Sequence, residues 1–160
     1  MGDEIALDSK TMRPLYDLPG HLVRRLVQLT QGIYESEAKS FGVTHAQFAI
    51  LQTVHLAPGL EQREIAEAAG YDSVTASHMI RKLEAMNLLR RDKGSRSRRG
   101  NSLHLTTAGA EKLKEMEPAI ARVQERLVER LPPEKRKLFL QLLSEITGIE
   151  NVHRNPDAQK

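Results

Sequence analysis

The chain has 160 residues, a formal charge of +3 and no cysteine. That length suits one domain with a core of its own, and the missing thiols exclude disulfides, thiolate metal sites and thiol redox sensing. No run approaches the roughly 18 apolar residues of a membrane span, and the acidic start Met1-Gly2-Asp3-Glu4 does not suit a secretory signal. The expectation is a soluble cytoplasmic protein with no membrane contact.

The charge is localised. Arg90, Arg91, Lys93, Arg96, Arg98 and Arg99 stand against Asp92 alone, a local +5. The other 150 residues therefore carry −2, the difference between +3 and +5. One basic loop on an otherwise mildly acidic chain fits a phosphate-facing patch better than a generally basic protein.

Residues 1–13 lack a sustained apolar period and read as a mobile arm. Leu18, Leu22, Leu26, Leu29 and Ile33 then recur at helical intervals. Pro19 suits a first turn and Gly42 a stop, which predicts a helix over 19–40. A single apolar stripe on so long a helix needs a partner surface, and a second copy of the chain is the candidate. Thr44 and Gln47 match a capping box. The helix they open turns Phe48, Leu51 and Val54 inward and stops at Pro58-Gly59.

Ile65, Ala66 and Ala69 face the core of the next helix. Ala66 is the small side chain that a close helix crossing requires, and Gly70 permits the tight turn. Asp72 or Ser73 caps a helix over 73–86. Val74, Ala76, Met79, Ile80 and Leu83 are expected on its buried side, with Ser73, Thr75, Ser77, His78, Arg81 and Lys82 at or near its open face. Asn87 is a left-handed stop. Strands over 88–91 and 102–105 flank the basic tip. Thr106 or Thr107 caps a helix carrying Leu113, Met116, Ile120, Val123 and Leu127, with Pro118 expected to bend it. After Pro132-Pro133 a last amphipathic helix carries Leu138, Phe139, Leu142, Leu143 and Ile146, and residues 151–160 read as a frayed end. No internal repeat or low-complexity segment is evident.

Two short helices meeting at a glycine, followed by a hairpin with a basic tip, is the order of a winged helix-turn-helix. The expected class is mainly α (α+β). Residues 1–160 are read as one domain, with a winged helix-turn-helix lobe over 44–107 and dimerisation helices over 15–42 and 107–148.

The residues that carry a family likeness are Val43-Thr44-His45-Ala46-Gln47-Phe48-Ala49-Ile50-Leu51, Gln62-Arg63-Glu64-Ile65-Ala66, Ile80-Arg81-Lys82-Leu83-Glu84, Asn87-Leu88-Leu89, Arg98-Arg99 and Leu105-Thr106-Thr107-Ala108-Gly109. In that order and spacing the chain resembles the MarR family of bacterial transcriptional regulators over about residues 20 to 148. The resemblance implies a homodimer knitted by its N- and C-terminal helices, and two winged lobes on palindromic double-stranded DNA. It also implies repression relieved by a small aromatic or phenolic ligand. Three positions depart from the pattern: Ser97 stands where the wing has an acid, Glu61 where a helix cap is often Ser or Thr, and Asn87 where the turn has glycine.

On this reading the helix from Ser73 enters the major groove, and Thr75, Ser77, His78 and Arg81 are its candidate readers. Arg81 is the strongest for guanine, whose O6 and N7 match the guanidinium fork; Thr75 and Ser77 have phosphate contact as a near-equal alternative. Arg96, Arg98 and Arg99 lie along the backbone, one of them in the minor groove, and Gln62 and Arg63 are phosphate candidates. A two-fold dimer wants half-sites about 10 bp apart. Family geometry places an effector between the DNA lobe and the dimer helices, where His21, Arg24, Arg25, Tyr34, His45 and Phe48 are the candidates for an aromatic carboxylate. The alternative for each is surface charge or core filling.

An enzyme would want converging Ser, His and Asp or paired carboxylates, and the six histidines are scattered. Neither a cofactor nor a metal is expected, because histidine spacing gives no ligand set. The main alternative is a winged-helix module for protein contacts without ligand response, against which the arginine-rich tip argues.

Overall fold

The computed structural model describes residues 9–93 and 101–149. Its elements are α1 (Ser9–Tyr16), α2 (Pro19–Ala38), a short 3-10 turn (Lys39–Phe41), α3 (His45–Leu56), α4 (Gln62–Ala69) and α5 (Ser73–Ala85). A hairpin of β1 (Leu89–Lys93) and β2 (Asn101–Leu105) follows, then α6 (Thr107–Val128) and α7 (Pro133–Thr147). The chain separates into two compact units, residues 1–123 and 124–160.

Local chemistry sets the boundaries in the first unit. Thr44 accepts from the Gln47 N–H while the Gln47 side chain accepts from the Thr44 N–H, at 3.2 and 2.9 Å. Gly70 ends α4 in the left-handed region at φ 76°, where its N–H closes on the Glu67 carbonyl. Of the two candidates for the next cap, Asp72 takes the role, accepting from the N–H groups of Val74 and Thr75. Asn87 adopts φ 56° as the left-handed stop. Thr106 then serves as the cap of α6, accepting from Gly109 at 2.9 Å and donating to the Asn87 carbonyl at 2.6 Å.

The core sits where α3, α4, α5 and β2 meet. Ile50, Leu51, Val54, Ile65, Ala66, Ala76, Ile80, Leu83 and Leu103 are all buried there. Ala66 is buried on α4, which packs against both α3 and α5, so a longer side chain there would push helices apart. α6 adds Leu113, Met116, Ala119 and Val123 to the buried set, and its helix continues on both sides of Pro118. In the second unit, Arg136 holds the turn before α7, donating to the Leu131 carbonyl and pairing with Glu125. No residue of α7 is buried.

The structure corrects three expectations. Part of the arm expected over 1–13 is helix α1, which at eight residues is too short for the sustained apolar period that a longer window requires. The hairpin is offset from 88–91 and 102–105, with Leu89 opposite Leu105 and Lys93 opposite Asn101. Val74, expected inside, is 80% exposed. At 100° per residue it stands about 180° from Leu83 and about 200° from Ala76, so it belongs to the opposite face.

Candidate nucleic-acid interface

Once its buried residues have packed, α5 presents one continuous open face. Ser73, Thr75, His78 and Arg81 are exposed and Ser77 is half-buried, so the readers named from the sequence do share an outward surface. Thr75 is more constrained than its exposure implies. Its hydroxyl lies 2.6 Å from Asp72 Oδ2, and because a carboxylate only accepts, the hydroxyl must donate. A phosphate also only accepts. Thr75 as held here can therefore meet DNA only as an acceptor, and the base amino groups of adenine and cytosine are the donors in the major groove. The hydrogen bonds from Thr75 and Val74 hold the Asp72 carboxyl below its ordinary range, keeping it ionised.

A second device fixes α5 against the wing. From the half-buried strand β1, Arg91 donates through Nε to Glu84 near the end of α5 at 2.8 Å, and through Nη2 to Gln62 Oε1 at the start of α4 at 2.9 Å. One guanidinium fork thus ties three elements together, a geometry that lysine could not reproduce. Gln62 is the sequence's candidate for a phosphate. Here its oxygen serves Arg91, which leaves the NH2 end as the donor. Arg63 beside it is exposed. The wing also rests on the segment before α4, through Gly59 N–H to the Leu103 carbonyl and Leu103 N–H to the Leu60 carbonyl, both at 2.9 Å. Within the hairpin Arg90 pairs with Asp92, and His104 Nε2 lies 3.1 Å from Ser102 Oγ and 3.8 Å from Asp92 Oδ2. Arg96, Arg98 and Arg99 lie outside the described residues.

In the same unit a cavity of about 540 Å³ opens between α2, the 3-10 turn and the start of α3. Gln31, Tyr34, Glu35, Lys39, Val43, Thr44 and His45 are among its lining. Tyr34 is buried and donates to the Val43 carbonyl at 2.9 Å; burial pushes its phenol up to about 12, so it stays protonated. His45 packs against it with the rings tilted by 41° and 5.0 Å between centroids. Desolvation holds the His45 imidazole below its usual value, so at neutral pH it offers one donor and one acceptor. Phe48 closes the aromatic group 6.3 Å from Tyr34.

Of the effector candidates, Tyr34 and His45 line this cavity and Phe48 backs Tyr34. His21, Arg24 and Arg25 do not line it. Arg24 and Arg25 are exposed, and His21 stands against Tyr16 at 5.7 Å. Helix rise explains the offset: Arg24 lies on the helical face of Gln31 but about 10 Å further along the axis. The sequence reading missed Gln31, Glu35 and Lys39. Their spacing of about four residues, leading straight into a capping box, was the signal available.

Residues 43–100 match the MarR family. The chain is 29% identical over 123 residues to the transcriptional regulator HosA of Escherichia coli, covering 77% of this chain and 90% of that protein. It is similar in structure to the transcriptional repressor CouR bound to a 23-mer DNA duplex, with TM-score 0.78 and 28% identity over 85% of this chain and 96% of that one. It is also similar to BpsR of Bordetella bronchiseptica, a protein whose DNA binding is regulated by 6-hydroxynicotinic acid. There the TM-score is 0.75 and the identity 26%, over 80% of this chain and 97% of that one.

Proposed function

We propose that this chain, which belongs to the MarR family of DNA-binding transcriptional regulators and is not an enzyme, is a cytoplasmic homodimeric repressor that a small aromatic acid or phenol releases from a palindromic operator. The observation that carries the DNA half is the open face of α5, braced to the wing by Arg91. The dimer is supported by apolar side chains without cover in the single chain. Leu18, Leu22, Val23 and Val27 are exposed on or beside α2, and separately Leu138, Leu140, Leu142 and Ile146 on α7. Water contact at so many large side chains is costly, and a second copy is the partner at hand.

The effector half rests on the cavity beside Tyr34. Its volume suits a small ring, the Tyr34 and His45 rings offer stacking surfaces, and Lys39 supplies a cation for a carboxylate. A hydroxylated aromatic acid regulates BpsR, and the same chemistry fits these residues. Such a ligand acts by preferring the conformation that does not fit DNA, since equal affinity for both states shifts nothing.

Fluorescence anisotropy against an operator selected from a random-sequence pool, at several salt concentrations and with a panel of aromatic acids, tests this. Tight, steeply salt-dependent binding is expected, with release by one compound class and weaker release for Lys39→Met. Reversing the wing with Arg98→Glu and Arg99→Glu should abolish DNA binding while the dimer persists. Unchanged affinity in that variant would sink the DNA reading, and binding that no compound disturbs would sink the effector reading.

A further inference from the structure

We infer that Val74 reads the 5-methyl group of a thymine in the operator and supplies sequence discrimination from the first turn of α5. The inference rests on the DNA-binding reading of α5 and adds to it a residue with no hydrogen-bonding capacity.

Val74 is 80% exposed, on a helix whose buried residues are Ala76, Met79, Ile80 and Leu83. By helical rotation it lies about 40° from His78 and about 20° from Arg81, on their stripe rather than on the packed one. Its isopropyl group contributes nothing to the core there. A helical valine has essentially one side-chain rotamer, so covering it with a ligand surface costs little conformational freedom.

The surrounding turn is unsuited to a phosphate. The N–H groups of Val74 and Thr75 are both given to Asp72 Oδ1, at 3.0 and 2.9 Å. The Thr75 hydroxyl is given to Asp72 Oδ2. The Asp72 carboxylate is an anion, and α5 carries no lysine or arginine before Arg81. With three of its donors committed to Asp72, no cation and a negative charge, the turn keeps Ser73 alone for a phosphate and is better tolerated over the base edges. The major groove displays one apolar group there, the methyl of thymine.

The test uses the full chain and an operator selected from a random-sequence pool, with each thymine replaced singly by deoxyuridine, which removes only the methyl. At one thymine in each half-site, deoxyuridine should weaken the wild type by about fourfold, the effect of exposing one methyl-sized group. Val74→Ala, which removes the contact in both half-sites at once, should lose about sixteenfold on the thymine operator and bind thymine and deoxyuridine equally at either position. An unchanged melting temperature for Val74→Ala is expected, since the side chain it shortens is not packed. Two results overturn the inference: no thymine whose methyl affects wild-type affinity, or the same thymine-to-deoxyuridine ratio in Val74→Ala as in the wild type. With steep salt dependence retained, either result removes Val74 alone. Selection that recovers no DNA removes the reading of α5 itself, and Val74 with it.

Discussion

Arg91 joins the wing, the helix over 73–85 and the start of the helix over 62–69, so replacing it by methionine should loosen all three while keeping the aliphatic bulk. Its side chain is 28% exposed and that of Glu84 26%, between a fully screened surface pair and a desolvated one. Surface pairs contribute about 0–1 kcal/mol, and hydrogen bonds to charged groups about 1.5–3 kcal/mol. With one ionic and one neutral acceptor on the same fork, the loss should be about 2 kcal/mol. For a chain of this size that lowers the melting temperature by about 4–8 °C. DNA affinity, measured at a temperature where both proteins are folded, should fall by about fivefold, because Gln62 loses the contact that orients its amide. Arg91→Lys should recover only part of either loss, since an ammonium cannot serve Glu84 and Gln62 in the same fork geometry. Urea titration of Arg91→Met, Glu84→Gln and the double variant measures the coupling directly. A coupling of about 1 kcal/mol is expected. Strict additivity would refute the brace, whatever the single variants do.

Two further outcomes follow from close packing and burial. A side-chain carbon on Gly109 would lie 2.1 Å from the Leu88 carbonyl oxygen, which is backbone and cannot step aside. Gly109→Ala should therefore cost about 1–3 kcal/mol by forcing the first turn of the helix over 107–128 off the turn before the wing; thermal denaturation reads the loss, and an unchanged melting temperature would contradict the geometry. His45 has its pKa lowered from the usual 6.5 by desolvation, so its contribution to stability is complete above 6.5. It is lost as pH falls toward the depressed folded value, because the unfolded chain takes up a proton that the folded one resists. Stability measured by urea from pH 7.5 to 5 should decline in the wild type and decline less in His45→Gln.

Features set by chemistry within a few residues were legible in the sequence. The Thr44–Gln47 capping box and the left-handed Gly70 and Asn87 each depend on neighbours in the chain and stand where the sequence places them, and the cap that the sequence leaves open between Asp72 and Ser73 falls to Asp72. Val74 is apolar but stands about 180° from Leu83 around the helix, so an apolar pattern counted without its angle puts it on the wrong face. The Arg91–Gln62 contact spans 29 positions, and no periodicity reports such a meeting. The cavity beside Tyr34 was only half legible for the same reason. The open face of the helix over 73–85 belongs to a single helix, whereas the cavity belongs to the junction of two, so the face of the first helix is legible but not the level at which the second meets it. Tyr34 and His45 adjoin that junction; Arg24 and Arg25 lie above it.

In the basic loop, net charge and phosphate-facing charge are different quantities. Six cations stand between residues 90 and 99, yet Arg90 pairs with Asp92 and Arg91 with Glu84. Those two serve the hairpin and its anchorage, which leaves at most four cations of the stretch for DNA in each protomer. Each phosphate neutralised contributes about 0.9 to the slope of log affinity against log salt, so the stretch should add about 3.6 to the slope per protomer rather than about 5.4. Neutralising Arg90 and Arg91 should accordingly leave the slope nearly unchanged while lowering stability, whereas neutralising Arg98 and Arg99 should flatten it. If Arg90→Gln and Arg91→Gln flattened the slope as much as the distal pair did, both arginines would be contacting phosphate in the complex. The ion pairs seen here would then have to exchange for DNA contacts on binding.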